Sequence, residues 1–175
     1  MYQKHRFVLG GFFMRNKMLI IVGIIVVLFI GLYFLTNYKN KQTIENVDNP
    51  YGKDELHQET IDLLDDPLYG NIIIPDDLDA KLENGEDVTV YYFSPTCVYC
   101  QQATPIVVPI AEELGIDMKK MNLLEFDLMD YYGIEGTPTI IHYENGEEVG
   151  RIVGLPDNPE EDYQEFFEKY VLKDE

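Results

Sequence analysis

From Met18 to Leu35 the chain reads MLIIVGIIVVLFIGLYFL, with no charged residue. As a helix this run would be about 27 Å long at roughly 1.5 Å per residue, close to the hydrocarbon thickness of a bilayer. A soluble helix needs a polar face, and this one has none. Thr36-Asn37-Tyr38-Lys39 follows, with no small-x-small cleavage pattern and no cysteine to take a lipid. The sequence therefore predicts an uncleaved, single-pass transmembrane signal anchor over residues 18–36. Lys4, Arg6, Arg15 and Lys17 precede the span, while only Lys39, Lys41 and Lys53 lie close behind it. That asymmetry places residues 1–17 in the cytoplasm and the rest of the chain outside the cell membrane.

Charge divides at the same place. No Asp or Glu precedes Glu45, so residues 45–175 hold all 32 acidic side chains of the chain. Such a domain repels nucleic acid and anionic headgroups, so no nucleic-acid partner is expected. The negative field would favour cationic or neutral substrate segments, or simply keep the domain soluble. With 46% hydrophobic and 13% aromatic residues, the composition suits one compact core rather than disorder.

Residues 37–69 read as a polar linker with a short helical extension: an aperiodic tether to about residue 53, then an amphipathic turn or two over Asp54 to Leu64. Beyond it, residues 70–175 alternate strand and helix signals. Asn71 to Ile74 reads as a short strand, Asp76-Asp77 as a helix start, and Val88 to Phe93 as a buried strand. A helix from Cys97 to about Leu114, broken or bent by Pro105 and Pro109, precedes a strand at Met118 to Leu123 and a short helix around Glu125 to Tyr132. Asn145-Gly146 is a strong hairpin signal between Thr139–Tyr143 and Glu147–Val153. Glu160 to Leu172 closes the domain as an amphipathic helix with an aromatic stripe.

The chain has only two cysteines, Cys97 and Cys100, straight after the buried strand. A Cys-x-x-Cys that opens a helix suits thiol-disulfide exchange, because unpaired backbone N–H groups and the positive end of the helix dipole favour thiolate at the first sulfur. The second is near enough to resolve a mixed disulfide. A purely structural bridge would close too few residues to restrain the unfolded chain, and a metal site would need two more ligands from a chain whose histidines are His5, His57 and His142. His142 reads as an ordinary strand residue.

Three stretches together resemble the thioredoxin family, over roughly residues 70 to 173. Val90-Tyr91-Tyr92-Phe93-Ser94-Pro95-Thr96-Cys97-Val98-Tyr99-Cys100, with Pro105 five residues on, is similar to the family's strand, loop and active-site helix. Tyr132-Gly133-Ile134-Glu135-Gly136-Thr137-Pro138-Thr139 resembles its cis-proline segment, and Glu144 to Glu147 with Val153-Gly154 resembles its last hairpin. The resemblance implies an α/β thioredoxin-like fold, a central mixed sheet flanked by helices. It also implies Cys97 as nucleophile, Cys100 as resolving thiol, and Thr137 and Pro138 as the substrate-binding segment, where backbone pairs with a client strand.

Three departures stand beside that likeness. Tyr91 occupies the place of a buried Asp, Thr96 that of a Trp, and Val98-Tyr99 matches neither the Gly-Pro of reducing members nor the Pro-His of strongly oxidising ones. The resulting expectation is a membrane-anchored protein-disulfide oxidoreductase that needs no metal or organic cofactor. Its partners would be cysteine-containing exported proteins or a membrane redox partner. Direction, oxidase or reductase, stays open, and the alternative is a non-catalytic peptide-binding or accessory module on the same fold with a static disulfide.

Overall fold

A computed structural model describes residues 6–46 and 49–173, with side chains described for 17–39 and 49–173. The chain divides between residues 43 and 44 into two units. Helix α1, Arg6–Asn46, supplies the described residues of the first and runs on into the second. Its stretch Lys17–Lys39 has a mean hydropathy of 3.1 and is long and apolar enough to cross a membrane. The helix continues past the apolar run, so the tether expected from residue 37 begins as helix. No Gly or Pro stands between Leu32 and Asn49 to stop it.

The second unit opens with a segment that packs onto its own domain. Its helix, α2, is confined to Gln58–Ile61, shorter than the expected 54–64. The reason lies in where its polar groups go. The His57 N–H donates to the Glu125 carboxylate at 2.9 Å rather than entering a helix. Lys53 pairs with that carboxylate at 3.6 Å, donates to the Glu125 carbonyl and lies over the Phe126 ring. Asn122 donates to the hydroxyls of Thr60 and Tyr51, and both residues are buried. These bonds also explain why the short helix expected at 125–132 is absent and residues 123–134 form turns instead. Asn122 Oδ1 holds the Leu124 N–H, and Lys53 occupies the carbonyl that a helix would use.

The expected strand at 71–74 shrinks to a single parallel bridge, Ile72 to Lys120. Asn71 has a positive φ, and Pro75 already begins helix α3, Pro75–Glu83, which leaves no length for a strand. Four strands follow: β1 Val88–Phe93, β2 Met118–Asn122, β3 Thr139–Glu144 and β4 Glu147–Val153. They form one mixed sheet in the order β2-β1-β3-β4, with β1 parallel to β2 and antiparallel to β3. The hairpin turn has positive φ at both Asn145 and Gly146, as a two-residue turn with the strands' own twist requires.

Every residue of β1 is buried because both faces are covered. Tyr91 and Phe93 pack under helix α4, Val98–Glu113, and helix α5, Pro159–Phe167. Val90 and Tyr92 pack on the opposite face with Leu78, Met121 and Ile141. Pro105 and Pro109 do not break α4. They sit away from its buried stripe of Ala103, Val107, Val108 and Ala111, and that packing carries the helix past the two missing N–H groups. After α5 the chain widens into one π turn, Glu168–Leu172.

Sheet polarity collects the site. Because β1 and β2 run parallel, Phe93 and Asn122 end on one rim, and β3 starts there, since Thr139 pairs with Tyr92 and with Val153.

Candidate active site

Cys97 is the N-cap of α4, with extended backbone at φ −81° and ψ 117°. Its position is fixed by the loop before it: the Cys97 N–H donates to the Ser94 carbonyl at 3.1 Å, and Gln101 Nε2 donates to the Pro95 carbonyl at 2.8 Å. Two bonds then meet at the sulfur. The Cys100 N–H donates to Cys97 Sγ at 3.3 Å, and the thiol donates to the Thr137 carbonyl at 3.2 Å. The Thr137–Pro138 peptide bond is cis. Gly154, whose φ is +79°, donates its N–H to the Pro138 carbonyl at 2.7 Å and so ties the end of β4 to the same rim.

The two sulfurs live in opposite environments. Cys97 is half-buried and Cys100 has no exposed surface. Partial burial pushes the Cys97 thiol up, but hydrogen bonds from the side chains of Thr137 and Cys100 and from the backbone N–H groups of Cys100 and Tyr99 outweigh it and hold the group below the ordinary cysteine value. Burial pushes the Cys100 thiol up to about 12. Both are free thiols, one turn apart on a helix N-terminus. The arrangement can present an accessible thiolate to an incoming sulfur while shielding a second thiol behind it.

Cys97, Cys100, Thr137 and Pro138 thus share one rim. His142 does not join them. Its Nδ1 bonds Thr89 Oγ1 at 2.9 Å, at the opposite end of β1. Val98 and Tyr99, between the cysteines, are both 62% exposed.

The family model described as thioredoxin matches residues 72–169. The chain belongs to the thioredoxin family. Thioredoxin from Chlamydia pneumoniae is 34% identical over 88 residues, covering 49% of this chain and 85% of that protein. Thioredoxin from Rickettsia felis is 36% identical over 77 residues, 42% of this chain and 73% of that protein. Among solved structures, a mutant thioredoxin from Halobacterium salinarum NRC-1 is similar over 57% of this chain and 88% of its own, with 27% identity and a TM-score of 0.47. Thiol-disulfide exchange is the chemistry of this family, and the fold is its mixed-sheet α/β architecture.

Within that thioredoxin fold, several residues of this site carry no motif. Thr104 donates to the Cys100 carbonyl at 2.8 Å and bonds the Tyr91 hydroxyl at 2.9 Å. Tyr69 packs against the same core cluster, and Tyr163 donates to the Gly154 carbonyl at 3.0 Å. A hydroxyl on the apolar stripe of α4, four residues after Cys100, is the one signal that could have marked Thr104. Tyr69 and Tyr163 read as ordinary aromatic core.

Proposed function

We propose that the chain is a membrane-anchored, extracytoplasmic protein thiol-disulfide oxidoreductase in which Cys97 attacks and Cys100 resolves. The observation that carries this reading is the asymmetry between the sulfurs: a half-exposed Cys97 with its thiolate favoured, and a fully buried Cys100 with its thiol favoured. In the first step the Cys97 thiolate attacks a client disulfide, forms a mixed disulfide and expels one client thiolate. Cys100 then attacks Cys97 Sγ, closing the Cys97–Cys100 disulfide and releasing the reduced client; the reverse sequence oxidises a dithiol. Thr137 and Pro138 sit where a client backbone would lie against Cys97, as the Thr137 carbonyl at 3.2 Å from its sulfur supports.

The anchor is Lys17–Lys39, and the basic residues before it favour a cytoplasmic N-terminus. Clients are then cysteine-containing exported proteins, and electrons come from or go to a membrane redox partner. The potential of the pair, set against that of its compartment, decides the direction. Full-length Cys100→Ser should accumulate mixed disulfides with exported proteins that dissolve on adding dithiothreitol, while Cys97→Ser should accumulate none. No adduct in Cys100→Ser cells removes this assignment of roles.

A further inference from the structure

Cys100 shares its core cluster with the tyrosines Tyr69, Tyr91 and Tyr163. The titratable groups that act on it from each neighbouring element are Cys97 of its own helix, Tyr91 of β1, Tyr163 of α5 and Tyr69 of the 3-10 turn Pro67–Tyr69. Among the described residues the one buried carboxylate is Glu125, and it is held by Lys53 and the His57 N–H. Lys120 is the register partner of Tyr91 on β2, but the charges that act on it are Glu112, Asp117 and Lys119.

The direction of the hydroxyl chain follows from proton counting. Thr104 has one hydroxyl proton, and it is committed to the Cys100 carbonyl at 2.8 Å. Tyr91 must therefore donate to Thr104 across their 2.9 Å contact. The relay Tyr91, Thr104, Cys100 carbonyl ends on backbone, not on sulfur. It fixes the first turn of α4 and offers the thiol no acceptor. A phenol raised above its usual range by burial cannot take a proton at neutral pH.

We infer that Tyr91 is a positioning residue for the resolving step: through Thr104 it aims Cys100 at Cys97 and leaves that thiol without a side-chain base. The inference rests on the proposed role of Cys100 and deepens it. In this step a bond forms between Cys100 Sγ and Cys97 Sγ, and the bond from Cys97 Sγ to the client sulfur breaks. The client sulfur leaves with the electron pair, the two cysteines are oxidised to a disulfide, and the Cys100 proton passes to water or to the departing sulfur. Its rate should follow the thiolate fraction of a group far below its pKa, with no base to level it.

The test uses full-length, reduced protein in detergent micelles and dithiobis-nitrobenzoate. The first coloured thiolate released reports attack by Cys97, and the second reports Cys100 displacing the adduct. From about pH 5 to about pH 9 the second rate should climb roughly tenfold per pH unit without a plateau. Tyr91→Phe and Thr104→Val should each lower it by about threefold to tenfold at every pH with the slope unchanged, and Thr104→Ser, which keeps the hydroxyl, should restore it. Tyr91→Asp should bend the profile by supplying a base. A wild-type plateau in this range, or Thr104→Val releasing at the wild-type rate, overturns the inference. A first release with no second would instead remove Cys100 as the resolving thiol.

Discussion

Cys97 and Cys100 differ by one helical turn in sequence and titrate to opposite sides of the free thiol. Their linkage to stability has opposite signs as a result. For Cys97 the folded pKa is lowered, so its contribution in the reduced protein is present above the ordinary value of 9.0 and is lost as pH falls through the folded one. For Cys100 the folded pKa is raised, so its contribution is intact below 9.0 and is lost as pH climbs towards about 12, a loss that Tyr163 reinforces. The reduced protein should therefore lose stability above pH 9.0. Urea midpoints on either side of that pH should fall less for Cys100→Ala than for wild type, and an equal fall would contradict the linkage. The shared placement of both cysteines, Thr137 and Pro138 could be read from sequence because each belongs to a short pattern that also determines local backbone. Tyr69 and Tyr163 could not, because a hydroxyl that acts across elements leaves no local trace, and Thr104 left only a hydroxyl on the apolar stripe of α4.

At the level of elements, legibility followed how far each one depended on its own residues. β1, α4 and the β3–β4 hairpin stand where apolar periodicity, the Cys97 N-cap and Asn145-Gly146 put them. The expected helix at 125–132 failed because a tertiary bond claimed its backbone, Lys53 taking the Glu125 carbonyl, and the strand at 71–74 failed because Asn71 has a positive φ and Pro75 starts α3 too soon. The hairpin gives the sharpest element test. Gly146 has φ +79°, and a Cβ there would run into the Leu82 carbonyl. Gly146→Ala should cost about 1–3 kcal/mol in urea unfolding while leaving the alkylation rate of Cys97 intact, because the turn lies at the far end of the sheet from the cysteines. An unchanged midpoint would mean that turn and α3 do not meet closely.

The whole molecule pairs a long apolar helix with an acidic redox domain, and its account depends on the two sulfurs being unequal while facing outward. One experiment addresses both. Intact cells are given a brief pulse of a membrane-impermeant alkylating agent near neutral pH after mild reduction, and the label on each cysteine is read by mass spectrometry. The account predicts that Cys97 is labelled at least about tenfold faster than Cys100, which reacts only after denaturation. Equal labelling of the two, or labelling of neither until the membrane is opened, would contradict it.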